Sequence, residues 1–272
     1  MLTTLLSITA GRATVAGADV ATQPDAVRTK IGVALQEAGL DPRQTGRELL
    51  TLHGRLFGFD AGHASRRAEE LLALVELEDA ADRVIKGYSG GMERRLDLAA
   101  ALVHEPDVLF LDEPTTGLDP ASRLTIWEEL RRINEQGTTV FLTTQYLEEA
   151  DELAGRVAII DGGRIVREGA PKALKEAVGA HTLVVTVPSD QHDLATEVLC
   201  GFGGARPGKA GALAIGLDGG PTAMSGVLRA LEDAGVVVEH VELDAPSLDD
   251  VFADATGRRL EGADTAAVEE PA

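Results

Sequence analysis

The sequence predicts an α/β fold, followed by a small C-terminal α+β domain, and three observations support this prediction. Residues 108–111 and 139–142 are continuous runs of strand-forming residues, typical of parallel strands that are covered on both faces. Helical patterns around Trp127 and Leu147 alternate with these runs, as in α/β proteins. Between residues 45 and 81 the apolar side chains recur at helical spacing, which predicts an inserted helical subdomain.

The segments ahead of these strands fit the same plan. Glycines bound residues 11–17, which suggests a short strand between turns. Residues 31–36 form an apolar run that we expect to be a buried strand leading into a loop. The helical subdomain should cover about residues 42–104, with a break at residues 58–62 that divides its first part into two helices.

Beyond about Gly179 the pattern changes. Residues 183–187, 212–216 and 236–239 are predicted strands separated by two helical stretches. The expected domains are therefore residues 1–178, the α+β domain 179–257, and an acidic, disordered tail 258–272.

Composition narrows the range of functions. The formal net charge of −20 over 272 residues argues against a nucleic-acid-binding surface, which would need clustered Lys and Arg. No apolar run approaches the ~20 residues needed to span a bilayer, so we expect membrane contact only through a partner. The single Cys200 excludes an internal disulfide, and its apolar neighbours predict a buried, inert thiol.

Two adjacent carboxylates, Asp112 and Glu113, follow the predicted strand 108–111. In open α/β sheets, ligands bind at the carboxyl ends of the strands, and a carboxylate there needs a compensating cation. Asp112 is a candidate to orient Mg²⁺, and Glu113 a candidate to activate a water for attack on a phosphate. Taken alone, a chance strand end explains the pair about equally well.

A second feature precedes the strand. Tyr88, Ser89, Gly90 and Gly91 lead into a helix that starts near Met92. A hydroxyl, two glycines and free amides at a helix N-terminus can bind an anion. The alternative is an ordinary N-capped helix, for which tandem glycines are unnecessary.

Together the two features resemble the ABC ATPases, in which Ser-Gly-Gly, a strand ending in Asp-Glu and a segment like residues 114–120 occur in this order. The resemblance implies an ABC-type P-loop NTPase core that uses ATP and Mg²⁺. It also implies that residues 89–91 bind the γ-phosphate of a nucleotide held by a second subunit, and that Asp119 belongs to the loop joining the two sites. Tyr88 and Met92 depart from the family's usual Leu and Gln, at the flanks of the motif.

Two glutamines also match family positions. Gln36 resembles the Q-loop glutamine, which senses the metal (Mg²⁺) and water and lies beside the membrane subunit. Gln145 stands where most members carry a switch histidine, and it can donate a hydrogen bond but takes no proton at neutral pH. Residues 145–150 and 247–252 resemble ATPases of daunorubicin-resistance drug exporters.

This resemblance implies an ATP-hydrolysing subunit that energises a drug-type ABC exporter and confers antibiotic resistance. Its partners would be an ABC-2-type membrane permease and a second ATP-binding subunit, giving a homodimer, without nucleic acid. The expected location is cytoplasmic, peripheral on the inner face of the cell membrane.

One family motif has no match. A phosphate-binding G-x-x-x-x-G-K-[ST] loop should precede Gln36, and the sequence contains none. Residues 203–210 come near but carry Ala210 in place of the hydroxyl, between a predicted helix and a strand. We therefore expect an incomplete core that opens inside the helix after this loop, with impaired hydrolysis. Two alternatives are a non-hydrolysing partner of an intact ABC ATPase and a soluble, non-transport ABC protein.

Overall fold

The computed structural model divides into two compact units, Met1–Glu149 and Ala150–Ala272. It describes residues 1–36, 39–179, 181–206, 211–217 and 220–257. The predicted tail, residues 258–272, lies outside the described residues. The division between the units falls ahead of the domain boundary expected at 178/179, which stays a prediction.

The first unit combines a parallel sheet with helices. Its strands are β1 (Thr14–Val15), β2 (Ala18–Asp19), β3 (Ile31–Ala34), β4 (Val108–Asp112) and β5 (Thr139–Thr143). Its helices are α1 (Pro24–Arg28), α2 (Gly46–Leu56), α3 (Ala61–Leu74), α4 (Gly90–Ala101) and α5 (Pro120–Glu135), and α6 (Leu147–Leu153) begins in it. Strands β1 and β2 form the short hairpin expected between glycine turns.

The sheet has the order β3-β4-β5, and its neighbouring strands are parallel. This confirms the parallel strands predicted at 108–111 and 139–142. The prediction that both are covered on both faces is wrong for β5, where burial alternates and Phe141 is 49% exposed. The reason is position, because β4 is paired on both sides, whereas β5 pairs only with β4 within the described part of the chain.

Helices α2 and α3 pack against each other and against α4. Thr45 caps α2 in a reciprocal box with Glu48, in which each backbone N–H meets the other side chain. The expected break lies between the two helices, where Gly58 has φ +89° and Asp60 then caps α3. The helical subdomain therefore rests on local capping signals that the sequence carries.

A close approach fixes α4 against the sheet. A Cβ added to Gly32 of β3 would stand 2.2 Å from the carbonyl oxygen of Ala101, the last residue of α4. Only glycine allows this separation. The helix that begins at residue 90 is thereby anchored at its far end to the strand that leads to Gln36.

The second unit is α+β. Its strands are β6 (Val157–Asp161), β7 (Arg164–Gly169), β8 (His181–Thr186), β9 (Ala205–Arg206), β10 (Ala212–Leu217) and β11 (His240–Asp244). Its helices are α7 (Pro171–Val178), α8 (His192–Cys200), α9 (Gly220–Asp233) and α10 (Leu248–Thr256). Strands β8 to β11 form an antiparallel sheet of order β11-β8-β10-β9, a split β-α-β-β-α-β arrangement with α8 and α9.

Two predictions in this unit are wrong. The strand expected at 236–239 is irregular chain, because Gly235, two residues after α9, has φ +79° and Val236 is buried beside it. The first hydrogen bond to β8 therefore comes from Glu239, next to the start of β11. Cys200 is exposed, because the last turn of α8 turns Leu199 toward the core and Cys200 away from it. No helix among the described residues is long and apolar enough to cross a membrane.

Candidate active site

The site is built around Glu113, the first residue after β4. Its main chain has φ +47°, a left-handed conformation that is unfavourable for a residue with a side chain. Its N–H donates to the carbonyl of Thr143, 3.0 Å away, which continues the pairing of β4 with β5. One carboxylate oxygen, Oε2, accepts from the hydroxyl of Thr116 at 3.0 Å and from Nε2 of Gln36 and of Gln145, each at 3.4 Å.

The sheet topology explains this convergence. Gln36 follows β3, Glu113 follows β4, and Gln145 follows β5. Because the three strands are parallel and adjacent, their carboxyl ends meet at one edge. The structure therefore brings together three residues that the sequence singled out. Glu113 is half-buried and the two glutamines are exposed, so water reaches the carboxylate, which can accept a proton from it.

Asp112 presents an exposed carboxylate at the same edge, and its Oδ1 accepts a short hydrogen bond from the hydroxyl of Thr143. The described residues contain no group of three or more His, Cys, Asp or Glu that could hold a metal ion. Mg²⁺ is commonly held by one or two carboxylates together with waters and substrate phosphates. The donor set here fits a Mg²⁺ that arrives with a nucleotide, and Asp112 and Gln36 are the residues that could hold it.

Residues 89–91 begin α4. Ser89 is its N-cap, and the Ser89 hydroxyl accepts from the N–H of Met92 at 3.3 Å. A Cβ added to Gly91 would stand 3.0 Å from Oγ of Ser122, whereas one added to Gly90 would meet no atom within 4 Å. The serine at position 89 is explained by its capping of α4, and the glycine at position 91 by its close packing against Ser122. No contact within the described chain requires glycine at position 90.

Asp119 caps α5. Its carboxylate accepts from the backbone N–H of Ser122 at 3.0 Å and from the Ser122 hydroxyl at 2.6 Å. The pKa of Asp119 is lowered, first by the hydroxyl of Ser122 and then by its N–H. Ser122 thus binds Asp119 and lies close to Gly91, between the two segments that the sequence predicted to face a second subunit.

Two functional residues escaped the sequence analysis. Arg94 of α4 donates to main-chain carbonyls around Glu113. Glu149 of α6 is fully buried and accepts from the hydroxyl of Thr115 and the indole of Trp127. Two sequence signals could have revealed them. Arg94 and Asp97 lie three residues apart on the core-facing side of α4, and Glu149 occupies a helix position that should face inward.

Comparison with known proteins shows which family this chain resembles in sequence. The family model described as ABC transporter matches residues 1–116. The daunorubicin resistance ATP-binding protein DrrA2 of Streptomyces coeruleorubidus is 48% identical over 266 residues, which cover 96% of this chain and 82% of that protein. The daunorubicin/doxorubicin resistance ATP-binding protein DrrA of Streptomyces peucetius is 44% identical over 267 residues, covering 94% and 79%.

Solved structures agree with these relatives. A dimeric ATP-binding cassette in a post-hydrolysis state, bound to ADP and phosphate, matches with TM-score 0.56 and 27% identity, covering 62% of this chain and 76% of that one. CbiO1 of Clostridium perfringens, part of an ABC transporter complex, matches with TM-score 0.59 and 24% identity, covering 65% and 74%. The fold is the α/β P-loop NTPase fold of ABC ATPase domains.

Proposed function

Because the chain belongs to the ABC transporter ATP-binding proteins of the daunorubicin/doxorubicin-resistance group, we propose that it hydrolyses ATP to energise a drug-type exporter. ATP hydrolysis is the activity of this family, and ATP with Mg²⁺ is its usual ligand. The observation that carries the proposal is the meeting of Gln36 and Gln145 on one oxygen of Glu113. Two neutral amides beside one carboxylate orient a water without competing for its proton.

In this proposal Glu113 is the general base that takes a proton from the attacking water. Gln145 donates to the γ-phosphate, and Gln36 holds the water and faces the metal. Asp112, with Gln36, would hold Mg²⁺, and the ion would supply neutralisation of charge on the phosphates. Thr143 supports this arrangement, because its hydroxyl holds Asp112 and its carbonyl holds the N–H of Glu113.

Ser89, Gly90 and Gly91 would serve a nucleotide held by a second copy of the chain. The N-terminus of α4 offers backbone amides and a positive dipole end, both suited to phosphate. The open space at Gly90 supports this role, since it leaves room for a close approach from outside. Asp119 would then lie at the same dimer contact, because Ser122 links it to Gly91.

The relatives are named for drug resistance, and such ATP-binding subunits work with membrane permeases and dimerise. We propose an ABC-2-type permease as the partner and a homodimer as the working form. The location would be cytoplasmic and peripheral on the inner face of the membrane, with membrane contact made only through the permease. The net charge of −20 is unsuited to direct binding of anionic lipid or nucleic acid.

The sequence has no G-x-x-x-x-G-K-[ST] match, so we expect weak ATP binding by this polypeptide alone. The same observation favours a second candidate, a chain that lends residues 89–91 to an intact ATPase without hydrolysing ATP itself. Glu113 argues for the first candidate, because a site that never hydrolyses needs no base. Titration with a fluorescent ATP analogue tests the expectation of weak binding, and micromolar affinity would contradict it.

The decisive experiment is Gly90→Ala, matched with Gly155→Ala. An added Cβ meets no atom within 4 Å at either position, so both variants should fold with unchanged Tm. At ATP concentrations high enough to give measurable dimerisation and hydrolysis, we expect Gly90→Ala alone to lower both by about tenfold or more, because the methyl group occupies the approach to the partner's phosphate. Light scattering and phosphate release measure the two effects.

Two further results bear on the choice of candidate. In a dimer that binds ATP, Glu113→Gln should retain the ATP-bound dimer with little turnover, and hydrolysis at the original rate would remove Glu113 from its role. Co-purification with an intact ATPase whose activity disappears on Ser89→Ala of this chain would select the second candidate. Unaltered dimerisation and hydrolysis in Gly90→Ala would contradict both.

A further inference from the structure

The side chain of Arg94 binds the main chain on both sides of Glu113. Arg94 donates from Nη2 to the carbonyl oxygen of Asp112 at 2.8 Å and from Nε to that of Pro114 at 2.9 Å. These are the carbonyls on either side of Glu113, the residue with φ +47°. A left-handed conformation at a non-glycine residue costs about 1–3 kcal/mol and persists only where its surroundings enforce it.

The same guanidinium also contacts the strand that leads to Gln36. Its third nitrogen, Nη1, donates to the carbonyl of Leu35, the residue before Gln36, in a short hydrogen bond. Because the Arg94 side chain is only 11% exposed, its guanidinium contacts these three carbonyls and little solvent. Each nitrogen of the planar fork therefore points at a main-chain oxygen, a geometry that the single ammonium of lysine cannot reproduce.

The ion pair with Asp97 does not by itself account for this position. The carboxylate paired with Arg94 is that of Asp97, 3.5 Å from Nη1 and 13% exposed. Burial raises the pKa of Asp97 to about 6, against the opposing effect of Arg94, so this partner is itself a poorly solvated anion. Burial also lowers the pKa of Arg94. A buried ion pair adds little to stability. The three hydrogen bonds to carbonyls, in contrast, hold the main chain of residues 112–114 and of Leu35 in place.

We propose that Arg94 is a positioning residue that holds Glu113 in its left-handed conformation and ties it to residues 89–91 at the start of the same helix. The second part of this inference rests on the proposed function of residues 89–91. Arg94 lies one turn beyond Gly91 in α4. A movement of the helix N-terminus toward a partner's nucleotide is thereby transmitted to the carboxylate of Glu113 and to Gln36.

Hydrogen–deuterium exchange on the full chain tests the clamp without any requirement for ATPase activity. We expect Arg94→Gln and Arg94→Lys to raise amide exchange in residues 113–119 by about tenfold, the loss of roughly one to two net hydrogen bonds. Arg95→Gln is the matched control. Arg95 is 20% exposed and donates to the carbonyl of Val75, so its loss should affect residues 75–77 and leave 113–119 unchanged. Full protection in Arg94→Lys would mean that only charge matters and would overturn the proposal.

A double-mutant cycle then separates positioning from general stability. Glycine adopts positive φ freely, so Glu113→Gly should reduce the Tm loss caused by Arg94→Gln to about half or less. The Arg95→Gln loss should be the same in both backgrounds. Equal Arg94→Gln losses in both backgrounds would overturn the clamp, whatever the chain's activity.

Where hydrolysis is measurable, Arg94→Lys should lower kcat with little change in KM for ATP. Failure of the proposed function is distinguishable from failure of the clamp. In that case Gly90→Ala has no effect on dimerisation, while the exchange and Tm results still report on Arg94 and Glu113.

Discussion

Trp127 donates a 3.0 Å hydrogen bond from its indole Nε1 to Oε1 of Glu149, a carboxylate with no exposed surface. The hydroxyl of Thr115 donates to the same oxygen at 2.9 Å. Thr115 lies two residues after Glu113, so this buried carboxylate holds the segment that follows Glu113. The second oxygen of Glu149 has no hydrogen-bond partner within the described chain.

Replacement of this carboxylate should therefore be costly. We expect Glu149→Ala to destabilise the fold by about 2–4 kcal/mol, because it leaves two buried donors unsatisfied. Glu149→Gln keeps an acceptor and should cost less. Glu148→Ala is the neighbouring control, since Glu148 is exposed and should change stability by about 0.5 kcal/mol or less. Chemical denaturation measures all three, and equal losses at 148 and 149 would contradict the network.

Asp97 gives a prediction with a defined pH window. Its pKa is raised to about 6 in the fold, first by burial, from an ordinary value of 3.8. The folded state therefore binds this proton more tightly than the unfolded state, so the contribution of Asp97 to stability is fully present below about pH 4 and is lost as pH rises to about 6. A shift of this size corresponds to roughly 3 kcal/mol.

The comparison variant is Asp97→Asn, which removes the titrating group. The stability of the original chain relative to Asp97→Asn should decline between pH 4 and pH 6 and level off above that. A constant difference between the original chain and Asp97→Asn across this range would show that Asp97 stays ionised.

The amide of Gln145 takes no proton at neutral pH, whereas the imidazole introduced by Gln145→His would. The variant should therefore gain a pH-dependent contribution to stability. The introduced imidazole would lie beside the carboxylate of Glu113, which raises the pKa of the imidazole in the fold. Its stabilising contribution should be present below about pH 6.5 and disappear as pH rises through the raised value, with a size of about 0.5–1 kcal/mol. Tm measured from pH 5.5 to 8.5 tests this against Gln145→Asn, for which no such step is expected.

The exposed edge of the sheet predicts self-association. Phe141 lies on β5, which pairs on one side only within the described part of the chain, and it is 49% exposed. Edge strands with apolar side chains pair with other chains, and a lysine on the edge discourages this. Phe141→Lys should therefore reduce concentration-dependent light scattering. Phe202→Lys, in the second unit and outside any strand, should not, and equal effects would point to net charge instead.

Local patterns predicted most of the fold. The parallel strands, the break between α2 and α3 and the α+β character of the second unit each follow from periodicity, capping residues or glycine. The strand expected at 236–239 was misplaced because three successive valines have high β-propensity wherever they occur. Just after α9, Val236 packs into the core and its N–H donates to the carbonyl of Leu231. This tertiary contact cannot be read from β-propensity.

The meeting of three candidate residues could be predicted from the sequence, but the residues that hold them in place could not. Motif order named Gln36, Glu113 and Gln145, and parallel topology then placed them together. Arg94 and Glu149 act on main-chain carbonyls and on side chains distant in sequence, and such partners leave no local signature. The positive φ of Glu113 is equally invisible to sequence, because glutamate is an improbable residue for that conformation.

The exposure of Cys200 has a practical consequence. The chain has one cysteine, at the end of α8 and open to solvent, so a maleimide dye or spin label attaches at a single defined point without prior mutagenesis. Each copy would carry one probe. Mixtures of donor- and acceptor-labelled protein would then report assembly of two copies, and its dependence on ATP, as energy transfer in real time.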